Sequence, residues 1–414
     1  MEHQAWINDI FDNTIKNYNG RKIALWGYYS VSKKINEMIQ DMNGGVTEVI
    51  YVDKDIKKID NKIVFSPEIL KNKSSEYYVV IPVAYYKSLK EQITDYGYIK
   101  DKDYYYFCDC IIEQREDYYE DSHGNKIIGN YSGLHFAFSG FNSEVIIGEK
   151  CKFSGAELYV HNNVKINIGD NVKFEESNIW VYDLSVLSIG SESVVKSNVI
   201  NIKEKVIFEI GKENVIRNNL IGMYKASNVV FQNKLYLSEL TLTMHQDAKL
   251  CIGENSYIAN SRSNIVVHSY LKIGKRVTVG CDLFLMVPRE TEIIIGDDCM
   301  FSWNVSLISN DGHSIFDVKT GENINSTSEI NKKKKIIIGD HVWIGMGSKI
   351  LYGTEIGNGS IIGAGSLVKS KIPNNCIASG IPAKVIRRDI AWSRNNGSDN
   401  ILDCGEEYIN FTEE

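Results

Sequence analysis

Hydrophobic positions in the first quarter of the chain follow two alternating patterns. Short apolar runs begin at Ile23, Val49, Ile63, Tyr78 and Tyr104, and each has the length of a buried strand. Between several of these runs, apolar residues recur every three or four positions, which is the spacing of an amphipathic helix. Strands separated by helices predict a parallel, doubly wound sheet, so we expect a Rossmann-like α/β domain over residues 1–110.

The pattern changes at about residue 135, where an aliphatic residue followed by glycine begins to recur at a fixed interval. Successive glycines lie 21 or 22 residues apart, and one interval of 42 residues spans a coil that lacks its glycine near Gln232. A repeat of about 20 residues with β-branched side chains predicts a β-solenoid whose isoleucines stack inward. The pairs are Ile147-Gly148, Ile168-Gly169, Ile189-Gly190, Ile210-Gly211, Ile252-Gly253, Ile273-Gly274 and Ile295-Gly296.

The repeat becomes shorter towards the end of the chain. Gly339 and Gly357 are 18 residues apart, with further glycines on a six-residue grid, whereas the interval from Gly296 to Gly339 is 43 residues, close to two periods. Eighteen residues make three six-residue faces, which is the arithmetic of a left-handed triangular β-helix, and 21 residues add a few at one corner. We therefore expect a connector over 111–134, an all-β left-handed parallel β-helix over 135–388 and a tail over 389–414.

A polar segment over about 308–335 interrupts the regular coils. Long excursions from a strict repeat are commonly functional, and this one contains His313 beside a glycine and between Asp311 and Asp317. A histidine can accept a proton from a hydroxyl group near neutral pH, so His313 is a candidate general base. The lysine run 332–335 is interpreted as a solvent-exposed end of the loop, with contact to a nucleotide as the less favoured alternative.

Three segments together resemble the hexapeptide-repeat acyltransferases, and most closely the sugar and capsule O-acetyltransferases. They are SNDGHSIFD in the loop, VWIG at 342–345 and SGIPAKVIRR at 379–388, within a resemblance that covers about 280–390. This resemblance implies acetyl-CoA as the acyl donor, a carbohydrate or nucleotide-sugar acceptor, and a homotrimer whose active site lies between adjacent solenoids.

The resemblance also implies roles for individual residues. His313 would be the general base, and the backbone N–H of Met346 would hold the thioester carbonyl oxygen. The family's acceptor-binding asparagine is replaced here by Asp282, and Asp282, Asp311 and Asp317 remain alternatives for orienting His313. The residues implied to contact the pantetheine arm or the phosphates of CoA are Trp343, Gly345, Ala364, Lys369, Lys384 and Arg387.

Composition narrows the possible classes of function. With 46 Lys and Arg against 53 Asp and Glu, the net charge is −7, which disfavours nucleic acid as a partner. The longest strongly apolar stretch, Tyr77 to Tyr86, is shorter than the roughly 20 residues of a membrane-spanning helix. The N-terminus lacks the pattern of a secretory signal, and the eight cysteines include no CxxC pair. We expect a cytoplasmic protein with reduced thiols and no metal site.

The N-terminal segment resembles the small domain that precedes the solenoid in bacterial nucleotide-sugar N-acetyltransferases. Its first turn reads Gly27-Tyr28-Tyr29, with tyrosines where that family has small residues, so a scaffold or interaction role is favoured over nucleotide-sugar docking. The sequence as a whole predicts an acetyl-CoA-dependent O-acetyltransferase acting on a carbohydrate hydroxyl in surface polysaccharide biosynthesis. The alternatives are an N-acetyltransferase for a nucleotide-linked amino sugar, a lipid acyltransferase and a non-catalytic solenoid scaffold.

Overall fold

The computed structural model describes most of the chain, and its contacts separate two compact units that are each described by themselves. The described residues are 2–27, 30–41, 48–53, 58–59, 62–81, 87–100, 102–106, 111–121, 123–325 and 335–413.

The N-terminal unit is built on a parallel sheet. Its parallel strands follow the order β4-β2-β1-β5-β6, and β3 is added antiparallel beside β4. The elements are α1 (Glu2–Asn17), β1 (Lys22–Trp26), α2 (Ser30–Asp41), β2 (Val49–Val52), β3 (Lys58–Ile59), β4 (Lys62–Phe65), β5 (Tyr77–Ile81), α3 (Lys87–Asp95) and β6 (Tyr104–Tyr106).

Both faces of this sheet are covered by helices. Ile23 in β1 packs in one apolar cluster with Ile10 of α1 and Ile35 of α2. Its neighbour Ala24 points to the opposite face and packs in a second cluster with Ile93 of α3. Because successive strand side chains alternate between faces, one buried strand supports both layers. The predicted Rossmann-like α/β fold is confirmed.

The segment predicted as a connector contains strands. The strands β7 (Ile111–Gln114), β8 (Tyr118–Asp121) and β9 (Lys126–Ile128) form an antiparallel meander. Asp121 stabilises the turn between β8 and β9, because its carboxylate accepts hydrogen bonds from the backbone amides of His123 and Asn125 at 2.9 Å. A polar sequence therefore forms regular structure here through turn hydrogen bonds.

The second unit is a parallel β-solenoid, as the glycine repeat predicted. Each coil has a first, a second and a third strand, and equivalent strands of successive coils pair in parallel. The strands are β10 (Leu134–Phe138), β11 (Glu144–Ile147), β12 (Lys152–Ser154), β13 (Ala156–Val160), β14 (Lys165–Ile168), β15 (Lys173–Glu175), β16 (Asn178–Val181), β17 (Val186–Ile189), β18 (Val194–Lys196), β19 (Val199–Lys203), β20 (Ile207–Ile210), β21 (Val215–Arg217), β22 (Leu220–Tyr224), β23 (Asn228–Phe231), β24 (Tyr236–Met244), β25 (Lys249–Ile252), β26 (Tyr257–Ile265), β27 (Tyr270–Ile273), β28 (Thr278–Cys281), β29 (Leu283–Val287), β30 (Glu292–Ile295), β31 (Met300–Trp303), β32 (Ser306–Ile308), β33 (Lys335–Ile338), β34 (Trp343–Ile344), β35 (Lys349–Leu351), β36 (Glu355–Ile356), β37 (Ile361–Ile362), β38 (Leu367–Val368), β39 (Ile377–Gly380) and β40 (Ala383–Arg387).

The strand register follows the predicted period and explains the glycine column. Ile207 pairs with Asn228, and Asn228 pairs with Lys249, so the 42-residue interval is two coils. At the glycine corner the coils approach closely: a Cβ on Gly190 would lie 2.4 Å from the carbonyl carbon of Gly211. Only glycine fits at this separation, which accounts for the repeated aliphatic–glycine pair.

The interpretation of the 43-residue interval as nearly two periods is wrong. Glu292 in β30 pairs directly with Lys335 in β33, so this interval is a single coil that carries an inserted loop. The coincidence arises because the insertion has about the length of one coil. Lys335, expected in a solvent-exposed end of the loop, belongs to strand β33 and forms an ion pair with Glu292 at 2.7 Å. Residues 332–334 lie outside the described residues.

Candidate active site

The three corners of each coil hold different parts of the predicted site. The first corner lies between the first and second strands of a coil, the second corner between the second and third strands, and the third corner after the third strand. In the coil formed by β33, β34 and β35, these are residues 339–342, residues 345–348 and the turn at Tyr352. The inserted loop leaves the solenoid from the third corner, after β32.

The loop that carries His313 contains a small hairpin. The backbone N–H of Ile324 donates to the carbonyl of Ile315 at 2.9 Å, and Phe316 pairs antiparallel with Asn323. Asp317 closes the turn, because its Oδ1 accepts from the amides of Lys319 and Thr320 at 2.8 and 2.9 Å. The hydrogen bonds from these amides hold the pKa of Asp317 below its usual value.

Asn325 and Tyr352 fix the backbone around His313. The Asn325 Nδ2 donates to the His313 carbonyl at 2.7 Å and to the Asp311 carboxylate at 3.1 Å. The hydroxyl of Tyr352, in the next coil, donates to the same carboxylate at 3.1 Å. The His313 side chain is exposed, and among the described residues its ring makes no hydrogen bond. The backbone is held in place, and the imidazole ring is bound by no described residue. This arrangement suits a general base whose hydrogen-bond partner comes from outside the chain.

The three acids considered for orienting His313 have different surroundings. Asp317 belongs to the hairpin turn, and Asp311 is bound by Asn325 and Tyr352. Asp282 is exposed at a second corner and has no side-chain hydrogen bond or ion pair within the described part of the chain. Of the three carboxylates, that of Asp282 is therefore the one with no partner among the described residues.

Second corners of successive coils bring Asp282, Met346 and Ala364 into one column. The amide of Asn304 donates to the carbonyl of Cys281 at 3.0 Å, and the amide of Gly347 donates to that of Trp303 at 2.9 Å. The amide of Gly365 then donates to the carbonyl of Met346 at 2.7 Å. Because neighbouring strands lie about 4.8 Å apart, these corners form a short stack. His313 leaves from a different corner of the chain.

The backbone amides of Met346 and Ala364 are available as donors. Neither amide has a hydrogen-bond partner among the described residues, whereas the glycine amides on either side of each are bonded. Met346 is 52% exposed, so this corner lies at the surface of the solenoid. Unpaired amides at a rigid corner are the kind of preorganised donor that stabilises an oxyanion.

Beside this corner, the second strands of the last coils form an apolar column that ends at basic residues. Trp343 pairs with Ile361, Ile361 with Ile377, and Ile377 with Arg387 across the hairpin of β39 and β40. Gly345 allows the close approach of coils here, since a Cβ would lie 2.6 Å from the Ala364 nitrogen. Lys369, Lys384 and Arg387 are exposed and form no ion pair with any described residue.

Sequence reasoning missed two features of this region. Trp303 lies on the second corner between the coils of Asp282 and Met346 and is 62% exposed. The residue that stacks on Trp303 in the next coil lies 43 positions later in the chain. It could be recognised only once the loop was known to be an insertion. The C-terminal segment, defined as residues 389–413, was interpreted as an uninformative tail, yet Trp392 within it is buried and lies 5.9 Å, between ring centroids, from Trp343.

Two kinds of feature are absent from the described residues. No helix among them is long and apolar enough to cross a membrane. No group of three or more His, Cys, Asp or Glu side chains in the described ranges could hold a metal ion.

A comparison with protein families matches the same part of the chain. Residues 335–370 match the model of the bacterial transferase hexapeptide family (six repeats). A polysialic acid O-acetyltransferase of Escherichia coli O1:K1 / APEC is 37% identical over 173 residues, which is 41% of this chain and 51% of that protein. The corresponding enzyme of Neisseria meningitidis is 35% identical over 30% of this chain and 55% of its own length. The chain thus spans about half the length of the curated relatives it matches.

Solved structures give a similar set of relatives. The crystal structure of the polySia specific acetyltransferase NeuO is 29% identical and covers 53% of this chain and 87% of its own, with a TM-score of 0.41. The polysialic acid O-acetyltransferase OatWY covers 63% of this chain and 99% of its own at 20% identity, with a TM-score of 0.34. The matched segment and the solenoid register identify residues 335–370 as hexapeptide repeats of the bacterial transferase type.

Proposed function

We propose that this protein is an acetyl-CoA-dependent O-acetyltransferase that acts on a carbohydrate hydroxyl of a bacterial surface polysaccharide. The observation that carries the proposal is the second-corner column, where the Met346 and Ala364 amides, beside Trp343, have no partner in the described part of the chain. The similarity to polysialic acid and galactoside O-acetyltransferases supports a sugar hydroxyl as the acceptor. The proposal includes a cytoplasmic location, in keeping with the free cysteines among the described residues.

In the proposed reaction, His313 accepts the proton of the acceptor hydroxyl while its oxygen attacks the thioester carbonyl carbon. The N–H of Met346 donates a hydrogen bond to the oxygen that becomes negative in the tetrahedral intermediate. When the carbon–sulfur bond breaks, protonated His313 returns the proton to the departing thiolate, so the products are an acetyl ester and free CoA. Trp343 and Ala364 hold the pantetheine arm, and Lys369, Lys384 and Arg387 bind the phosphates.

The proposal requires more than one copy of the chain. His313 and Met346 belong to different corners of the solenoid, separated by the third strands β32 and β35. In a homotrimer, the loop of one subunit would approach the second corner of its neighbour and bring the base to the amide donors. The open ring of His313 in the single chain supports this arrangement, in which Asp282 contacts the acceptor or orients the imidazole.

A second candidate function is N-acetylation of a nucleotide-linked amino sugar. The observation that favours it is the N-terminal sheet, where Gly27 follows β1 with φ = 103° at the position of a nucleotide-binding turn. Tyr28 and Tyr29, which would decide how closely a ligand approaches, lie outside the described residues.

The test is release of free thiol from acetyl-CoA with neutral sugars, UDP-amino sugars and sialylated or neutral glycan fragments as acceptors. We expect turnover with a hydroxyl acceptor and a loss of about 100-fold or more in His313→Ala, because the base is removed. His135→Ala is the matched control, since His135 is also exposed but lies in β10, far from the loop in sequence.

The outcomes separate the candidates. Turnover confined to UDP-amino sugars would favour the second function and make the N-terminal domain a substrate site. An unimpaired His313→Ala variant would contradict the mechanism, and absence of both turnover and CoA binding would leave a non-catalytic scaffold.

A further inference from the structure

The C-terminal segment is held against the last coils by a set of specific hydrogen bonds. Asp389 and Thr412 bind each other through both backbone amides: the Asp389 N–H donates to Thr412 Oγ1 at 2.9 Å, and the Thr412 N–H donates to Asp389 Oδ1 at 2.8 Å. The Asn375 Nδ2 donates to the carbonyls of Ile390 and Tyr408 at 3.0 and 2.6 Å. The segment is therefore a closed loop attached to the solenoid.

At the centre of this attachment, His341 lies in the first corner of the coil that carries Trp343. It is 3% exposed and stacks between two rings, with centroids 4.0 Å from Trp392 and 4.4 Å from Tyr408. The Trp392 Nε1 donates to the His341 carbonyl at 2.9 Å. Trp392 and Tyr408 of the C-terminal segment thus both stack on His341.

Both ring nitrogens of His341 have a partner. Its Nδ1 lies 2.6 Å from Asp298 Oδ2, and its Nε2 lies 2.8 Å from the carbonyl oxygen of Trp392. Burial acts to raise the pKa of Asp298, yet the hydrogen bond from His341 and the charge of Arg394 hold that pKa below its usual value, so Asp298 is ionised. Each ring nitrogen therefore faces an oxygen atom, one on the solenoid and one on the C-terminal segment. The His341 ring joins the two between two aromatic faces.

The carboxylate of Asp298 also binds the C-terminal segment directly. It pairs with Arg394 at 3.0 Å and with Arg276 at 3.7 Å, and Arg394 donates further to Thr278 Oγ1 and to backbone carbonyls. Burial raises the pKa of Tyr408 and raises that of Cys299 to about 12, so both stay neutral. Asp298 therefore attaches the segment to the solenoid through both His341 and Arg394.

We propose that the C-terminal segment forms one wall of the donor site and that His341 holds this wall in place. The proposal rests on the proposed function, because Trp392 reaches the donor site through Trp343, whose ring lies 5.9 Å away at 46°. Trp392 and His341 are positioning residues. Without the contacts of the His341 ring, the wall loosens and the Trp343 side of the donor site opens.

The first test uses calorimetric titration with CoA to measure how much the C-terminal segment contributes to CoA binding. Trp392→Ala is expected to weaken CoA binding about tenfold, and Trp392→Phe, which keeps an aromatic face on His341, about twofold. Trypsin gives a readout independent of CoA: cleavage after Arg394 is expected to be slow in the unaltered protein and fast in Trp392→Ala. Unchanged CoA affinity in a folded Trp392→Ala protein would contradict the proposal that the C-terminal segment forms a wall of the donor site.

The second test measures the role of the His341 ring. His341→Phe keeps an aromatic ring between Trp392 and Tyr408 but removes both ring nitrogens, and it is expected to weaken CoA binding several-fold and to speed cleavage after Arg394. A CoA affinity and a cleavage rate equal to those of the unaltered protein would overturn the role of His341. Intact CoA binding without acetyl transfer would contradict the proposed function alone.

Discussion

In the coil of β33 to β35, two corners share the local sequence Ile-Gly-X, and the amide of X is hydrogen-bonded at the first corner (Asp340) but unpaired among the described residues at the second (Met346). At the first corner X is Asp340 or, in the next coil, Asn358, and each side chain accepts the amide of the residue stacked before it: Asp340 that of Asp297 at 2.7 Å, and Asn358 that of Asp340 at 2.8 Å. At the second corner X is Met346 or Ala364, which offer no acceptor, and both amides stay unpaired among the described residues.

The difference depends on the side chain of the next coil. Where that side chain is Asp or Asn, as at the first corner, it accepts the amide stacked before it, and that amide is closed to ligands. Where it is Ala364, it offers no acceptor, and the Met346 amide stays unpaired among the described residues. One side chain thus decides whether the preceding amide is satisfied within the solenoid, which is the property that the proposed oxyanion donor requires.

The largest effect is expected from a variant that gives the second corner a side-chain acceptor like those of the first corner. Ala364→Asn places an acceptor where Asn358 stands at the first corner, and we expect it to bind the Met346 amide and remove the oxyanion donor. The expected loss of kcat is about 100- to 1000-fold, the usual effect of losing one such donor. Ala364→Leu adds similar bulk without an acceptor, so equal losses in both variants would assign the effect to volume.

The second corner also predicts where the donor phosphates bind. The column beside it ends at Arg387, and the neighbouring exposed Lys384 has no ion-pair partner among the described residues. Lys384→Ala combined with Arg387→Ala is expected to raise the KM for acetyl-CoA about tenfold and to leave the acceptor KM nearly unchanged. An unaltered donor KM in steady-state assays would move the CoA site to another face.

Removing a side-chain acceptor from the first corner tests the other half of the comparison. Asn358→Ala removes the acceptor of the Asp340 amide, and we expect the free energy of unfolding to fall by about 1 kcal/mol without a change in kcat. Asn358→Asp keeps the acceptor and is the matched control in urea unfolding experiments. A loss of activity in Asn358→Ala at full stability would mean that the first corner also takes part in the reaction.

The smallest effect is expected at Met346 itself. Because the backbone and not the side chain is the proposed donor, Met346→Ala should keep kcat within a factor of about three, less than 1 kcal/mol in activation free energy. Single-turnover rates would detect a larger change, and a loss near that of Ala364→Asn would assign the role to the thioether side chain.

Much of the fold could be predicted because it follows from periodicity. The 21-residue spacing of Ile-Gly pairs corresponds to the strand register from β14 to β27, since each coil must return the same side chain to the same face. The 43-residue interval was misinterpreted because an insertion of about one coil length leaves the glycine phase unchanged. The hydrogen-bonded meander at 111–128 was missed, since its turns depend on Asp121 and not on apolar period.

The candidate site was predictable only in part. The motif resemblance selected His313, Trp343 and Met346, but it could not reveal that the first of these leaves from a different corner than the other two. Nor could it reveal the buried His341, whose partners Asp298 and Trp392 are 43 and 51 residues away in the chain.

By itself, the sequence determined the α/β sheet, the coil period and the residue types able to carry acyl transfer, because these depend on local spacing and side-chain chemistry. Only the tertiary structure decided which amides remain unpaired, which acids are already bound by the loop, and that the C-terminal segment lies against Trp343. Each of those properties depends on what the next coil or the chain end places opposite a residue, and that information is not contained in any single repeat.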